Sequence, residues 1–238
     1  RMDKDVPLIV PEVNPNDLKN HKNIIANPNC STIQLVLPLK PLHDKYKIKR
    51  IIVSTYQAVS GAGKLSVDEL FNQTRDFLNN KKIDSKNFTK QMAFNLIPHI
   101  DTFVEGGYTK EEWKMENETK KILGQNIGLS ATCVRVLVRT SHSESVNIEF
   151  ENEYDLEKVK KILTKAPGCK VVDEREDGGY ITPAEAEGDN LTFISRVRKD
   201  NSNKKALNMW IVSDNLLKGA ALNSVQIAEI LVKKLNEK

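Results

Sequence analysis

Residues 48–78 read IKRIIVSTYQAVSGAGKLSVDELFNQTRDFL, and the order of patterns in this stretch decides the fold class. Ile48 to Ser54 is a short run dominated by β-branched residues, the signature of a buried strand. Ser60-Gly61-Ala62-Gly63-Lys64 follows as a turn. Ser66 with Glu69 then offers a capping box ahead of a helix over Val67 to Leu78. A strand, a glycine turn and a helix in that order form one unit of an α/β or α+β fold.

The same alternation extends outward. Strands are expected at Val6 to Val10, Asn23 to Ala26, Cys133 to Val138, Ser145 to Phe150, Lys170 to Val172, Leu191 to Val197 and Asn208 to Val212. Helices are expected at Ser31 to Leu37, at Lys110 to Leu123 (capping box Thr109 and Glu112, stop at Gly124), at Leu156 to Leu163 and at Gly219 to Leu235. Residues 81–90 and 173–190 are polar and carry Gly or Pro, and read as loops. The chain opens Arg1-Met2 and is apolar by Val6, which reads as the start of a piece cut from a longer protein.

Composition narrows the function classes. The 238 residues hold 36 Lys+Arg against 32 Asp+Glu, a net charge of +4. The basic residues are spread along the chain, whereas nucleic-acid binders concentrate them in a stripe. Apolar runs such as Ile33 to Leu39 are too short to span a bilayer. Cysteines 30, 133 and 169 form no CxxC pair, and an odd number argues against a disulfide framework, so a reducing, cytoplasmic home is expected.

Three constellations carry chemistry. Cys30 stands at a strand-to-helix turn among Asn27, Asn29, Ser31 and Thr32, where a helix N-terminus favours the thiolate. Cys133 and Cys169 lack that setting and read as structural. His142, in Thr140-Ser141-His142-Ser143, is expected in a polar turn between strands. A thiol and a distant imidazole are a familiar nucleophile and base. The glycine turn at 60–64 is placed to meet a phosphate, yet Ala58 and Leu65 break a Walker pattern and Ser66 breaks a dinucleotide fingerprint. Glu111 and Lys114 share one helix face; by themselves they read as a surface ion pair worth a few tenths of a kcal/mol.

Five stretches in order resemble the bacterial aspartate-β-semialdehyde dehydrogenase family. They are Asn27 to Thr32, Ser54 to Gly63, Glu111-Glu112-Trp113-Lys114, the Arg135 strand leading to His142-Ser143, and Asp214 to Ala221. Related acyl-phosphate reductases share the Cys–His logic but differ around the cysteine. The resemblance implies an α/β fold, with an α+β catalytic and dimerisation domain on a mixed sheet and remnants of a Rossmann-type nucleotide-binding domain. Its divisions would be the end of an NADP-binding domain at 1–30, the catalytic domain at 31–214, and a helix returning to the NADP-binding domain at 215–238. It implies reductive dephosphorylation of L-aspartyl-4-phosphate through a Cys30 thioester, in biosynthesis of lysine, methionine, threonine and diaminopimelate.

The resemblance also implies roles. Cys30 would be the nucleophile, His142 the acid/base and Gln57 the orienting amide. Arg135 would hold the substrate carboxylate and Glu111 its ammonium. Arg1 and Lys114 would bind phosphate, while Ser60, Gly61 and Asn215 would touch NADP. No metal is expected, and the partners would be the small substrate, phosphate and a second copy in a homodimer. These residues alone are expected to lack turnover. The competing readings are a dimerisation module without activity and a thiol hydrolase or acyltransferase using Cys30 and His142.

Overall fold

The computed structural model describes residues 1–124 and 127–236. A seven-stranded mixed sheet runs in the order β2-β3-β1-β4-β7-β6-β5. The strands are β1 (Ile48–Gln57), β2 (Leu96–Ile97), β3 (Gly128–Val136), β4 (His142–Phe150), β5 (Cys169–Val171), β6 (Thr192–Lys199) and β7 (Ala206–Ser213). β1 pairs parallel with β3 and antiparallel with β4, so the ends of β1 and β3 meet the start of β4. The helices are α1 (Cys30–Tyr46), α2 (Lys64–Leu78), α3 (Lys110–Leu123), α4 (Leu156–Thr164), the short α5 (Pro183–Ala186) and α6 (Leu222–Asn236).

Alternation along the strands stacks rows beneath α1. The deepest rows are apolar: Ile51 with Ile148 and Leu207, then Val53 with Ala131, Val146 and Met209. The next row is Thr55, Cys133, Glu144 and Ile211, all buried. The outermost carries Gln57 opposite Arg135, and His142 opposite Ser213. α1 buries residues on every side, from Ser31 through Leu42 to Tyr46. A helix apolar all round belongs inside a core, and here it lies between the sheet and the flanking α3 and α4. The other face of the sheet leaves Ile52 and Tyr56 39% and 37% exposed.

Several boundaries differ from the sequence reading. The runs at 6–10 and 23–26 form no strands; they meet in one parallel bridge, Leu8 with Ala26. Ile9, Leu18 and Ile25 cluster with Ile227 and Ile230 of α6, so packing across the chain takes the place of a ladder. The Ser66–Glu69 capping box does not form. Gly63, at φ 93°, starts α2 one turn earlier. The Glu69 carboxylate instead accepts from the backbone of Lys86 and Asn87 and from the side chains of Asn87 and Gln73, bracing the 81–90 loop. The Thr109–Glu112 box is present and Gly124 ends α3 in the left-handed region. α6 is preceded by a π-helical turn over Leu217–Ala221. Among the described residues, no helix is long and apolar enough to cross a membrane.

Candidate functional site

The site begins at the cap of α1. Asn29 accepts from the N–H groups of Ser31 and Thr32 at 3.0 and 3.3 Å. This satisfies free donors at the helix start. The Asn29 amide donates to Glu111 Oε1 at 2.9 Å, and its backbone N–H donates to Glu118 Oε2 at 2.7 Å. Two carboxylates seven positions apart on α3 thus fix the residue before Cys30.

Cys30 is the first residue of α1 and keeps part of its surface in solvent. The expectation of a depressed thiol pKa does not hold in this state. Burial of the sulfur, and next the negative charge of Glu111, push it up to about 12; the Ser31 backbone N–H and the Arg135 charge pull the other way without winning. Loss of water outweighs the partial charge of the helix end. Gly219 packs directly on this residue: a Cβ there would stand 3.0 Å from Cys30 Cβ.

Glu111, 5% exposed, is the hub rather than half of a surface pair. Its Oε1 also accepts from Gln57 Nε2 at 3.0 Å, and its Oε2 meets Lys114 Nζ at 3.2 Å. Lys114 donates in turn to Asp101 at 2.8 Å. Burial alone would lower the Lys114 pKa, but Asp101 and Glu111 outweigh it and raise it. Arg1 lies at the rim and is tied to the buried Glu118 at 2.9 Å. Lys121 donates to the carbonyls of Arg1, Asp3 and Val6, clamping the turn that follows Arg1. Both expected phosphate ligands are therefore held in ion pairs.

His142 is fully buried at the first position of β4, not in a solvated turn; Ser141, at φ 74°, makes the corner before it. Its Nδ1 accepts from the Ala58 N–H at 3.0 Å, and its backbone carbonyl accepts from Gln34 of α1 at 3.3 Å. Burial, with help from the Arg135 charge, holds the imidazole pKa well below its ordinary value. Arg135 donates to the Ala58 carbonyl at 2.7 Å. A Cβ at Gly61 would meet the His142 ring at 3.3 Å and Arg135 Nη1 at 3.4 Å, so this glycine closes the group. Cys30 and His142 are linked through Arg135, whose charge reaches both, and through Gln34 one turn beyond Cys30.

Ser60 and Asn215 pair at 3.0 Å, and Asn215 also accepts from the Ser141 N–H at 2.8 Å. That ties the exposed Gly61 turn to the corner before His142. All ten expected residues thus fall in one connected region, with Arg1 at its edge. Sequence reasoning missed Asn29, Asp101, Glu118, Lys121 and Gly219. For Glu118 and Lys121 the signal was present, since Glu111, Lys114, Glu118 and Lys121 form one stripe at helical spacing.

A family profile described as the dimerisation domain of semialdehyde dehydrogenase matches residues 39–218. An aspartate-semialdehyde dehydrogenase of Aquifex aeolicus is 53% identical over 98% of this chain and 70% of its own length. The Vibrio cholerae aspartate semialdehyde dehydrogenase II, solved as a complex with ASA, superposes with a TM-score of 0.94 at 46% identity, covering 97% of this chain and 69% of that one. A Candida albicans enzyme of the same name, solved with NADP, gives a TM-score of 0.71 at 27% identity over 96% of this chain and 67% of that one.

Proposed function

Because this chain belongs to the aspartate-semialdehyde dehydrogenase family, we propose that it carries the substrate-reading and acyl-transfer half of the NADP-dependent reduction of L-aspartyl-4-phosphate to the 4-semialdehyde. In that role it serves biosynthesis of lysine, methionine, threonine and diaminopimelate. The observation that carries the reading is the convergence of Asn29, Glu111, Gln57, Arg135 and His142 around the Cys30 turn.

The substrate presents a carboxylate, an ammonium and an acyl phosphate, and the site presents a partner for each. Arg135 offers a planar fork for the carboxylate. Glu111 takes the ammonium, and its neutralisation by that charge removes a brake on Cys30 ionisation. Lys114 and Arg1 exchange carboxylate partners for the phosphate and offset its charge as it leaves. Gln57 orients the acyl group, Cys30 attacks it to form a thioester, and His142 is the acid/base group.

A bound nicotinamide supplies the hydride that reduces the thioester. The residues present fit it: the exposed turn at Gly61 has no side chain to block the approach beside His142, whose buried Nε2 has no hydrogen-bond partner among the described residues, and Ser60 with Asn215 holds the turn's shape. Residues 1–30 and 215–238, which pack together through Ile9, Leu18 and Ile227, form the side facing the nucleotide, and 31–214 the catalytic and dimerisation body. The exposed sheet face around Ile52 and Tyr56 is the surface for a second copy. Three unpaired cysteines suit a reducing cytoplasm.

Acylation needs no nicotinamide, which gives a direct test. Mixing the chain with L-aspartyl-4-phosphate should release phosphate and add one aspartyl group at Cys30, seen by intact mass and peptide mapping. Absence of the adduct, or an adduct on Cys133 or Cys169, overturns the reading. A polypeptide limited to these 238 residues is expected to show no steady-state turnover with NADP.

A further inference from the structure

Glu144 is a fully buried carboxyl group outside the acylation step. It lies beneath α1 in the row that also holds Thr55, Cys133 and Ile211. Neither of its oxygens has a hydrogen-bond partner among the described residues, and the same is true of Gln34 Oε1. Gln34, on α1, is the polar side chain that meets this carboxyl; it favours the ionised form, and burial outweighs it. Gln34 Nε2 donates to the His142 carbonyl at 3.3 Å, which fixes the amide's nitrogen and leaves its oxygen over. Three acceptor oxygens on two neighbouring side chains therefore lack a donor, and one proton resolves all three. A carboxylic acid and an amide pair in a ring, O–H to amide oxygen and amide N–H to acid carbonyl. Charges on the packed elements give a carboxylate no help. Glu111 and Glu112 of α3 act with Glu144 on Cys133 of β3, so the surroundings are already negative. Those two have donors: Asn29 and Gln57 for Glu111, the Thr109 and Cys133 N–H groups for Glu112. Arg135 stands one row away on β3 and donates to the Ala58 carbonyl. Burial opposes a charge on His142, two residues back along β4, and Thr55 and Ile211 bring none. A bare carboxylate without a cation or donors is too costly to bury there.

We propose that Glu144 stands as a neutral carboxylic acid paired with the Gln34 amide, its O–H donating to Gln34 Oε1 and its C=O accepting from Nε2, and that this pair is a positioning element for acylation of Cys30. The role rests on the reading of Cys30 as the nucleophile. Gln34 stands one turn after Cys30 on α1, and its Nε2 also reaches the main chain at the start of β4. Holding both ends of that amide fixes the first turn of α1 against the sheet, and with it the line along which the sulfur meets the acyl carbon. Reaction rates in a bound pair depend steeply on such placement. Glu144 acts through Gln34 and exchanges no proton with the substrate.

Two measurements on the chain decide it. In protein labelled with carbon-13 at the glutamate side-chain carboxyl, the Glu144 resonance is assigned by its loss in Glu144→Gln. It should keep the protonated position from about pH 5 to about pH 8, where an ordinary carboxyl is ionised. An ionised Glu144 at about pH 6 overturns the proposal. The second measurement is the rate at which L-aspartyl-4-phosphate acylates Cys30, followed as phosphate release in a single turnover. Glu144→Leu removes the donor at similar volume and should lower the limiting rate at least about tenfold, with the half-saturating concentration within about twofold of the parent. Glu144→Gln returns a neutral N–H donor and should recover most of that loss. Equal limiting rates in the parent and Glu144→Leu, a loss confined to half-saturation, or no recovery in Glu144→Gln overturns the positioning role. If Glu144→Leu does not fold, Gln34→Met breaks the same pair from the other side and is read by the same criteria. Failure of the parent's Cys30 to be acylated removes the functional reading and this role with it, whereas acylation beside an ionised Glu144 removes this proposal alone.

Discussion

Gly219 and Cys30 touch so closely that a single methyl group on the glycine would sit 3.0 Å from the cysteine Cβ and 3.5 Å from the Asp214 carbonyl. The π-helical turn over Leu217–Ala221 is thus one wall of the seat in which Cys30 sits. Gly219→Ala should cost about 1–3 kcal/mol of stability by overpacking and change the Cys30 alkylation rate. Urea unfolding and peptide-resolved labelling check both.

Glu111 opposes ionisation of Cys30 by its charge. Glu111→Gln removes that charge while keeping the side chain's shape. The thiol pKa falls, the thiolate fraction at a fixed pH rises, and iodoacetamide labelling of Cys30 should accelerate, about three- to tenfold. Unchanged labelling would show that the carboxylate does not govern the thiol.

Glu144 and His142 make opposite contributions to stability with pH. Burial raises the Glu144 pKa well above its unfolded value, so the native state binds the extra proton and stability falls as pH rises above the unfolded carboxylate range. Glu144→Gln should be more stable than the parent near neutral pH, with the gap closing toward about pH 4.5. Burial lowers the His142 pKa, so its contribution is lost as pH falls through its unfolded value. Thermal melts across pH separate the two.

Lys218 is completely buried and donates to both Glu12 carboxylate oxygens, at 2.8 and 2.6 Å, and to Asn223 and Gln226. Lys218→Met strands the Glu12 charge and should cost about 3–5 kcal/mol, part of which returns in the double variant with Glu12→Gln. A denaturation cycle on the four proteins measures it.

The exposed face of the sheet predicts self-association. Tyr56→Asp places a charge in the middle of that face and should weaken dimerisation at least about tenfold without unfolding the chain. Sedimentation equilibrium is the readout, and a monomeric parent would contradict the assignment.

Much of this was legible in the sequence because the deciding elements are local. The β-branched run at 48–54, the Thr109–Glu112 box and the Gly124 stop each state their own conformation. What escaped depends on distant partners. Ser66 and Glu69 satisfy a local rule, yet the Glu69 carboxylate finds more donors in the 86–87 loop than the helix start offers. The segment at 6–10 has strand composition but lies on α6, a contact across more than two hundred positions. Cys30, His142, the turn at Ser60 and Gly61, and the pair Glu111 and Lys114 stand out by residue type and spacing, the remaining candidates came through the resemblance, and the helical stripe points to Glu118, whereas Gly219 needed coordinates, since nothing in its own neighbourhood announces a contact with Cys30.

Strand register has a last implication. Gln57, Arg135 and His142 reach the reactive region because each sits at an even step from the buried apolar positions of its strand. Deleting one residue within β1 would swing Gln57 to the side shared by Ile52 and Tyr56. The three strands therefore behave as measuring rods: lineages are free to lengthen the surface loops, but a changed count inside these rods keeps a folded sheet only by turning its chemistry outward.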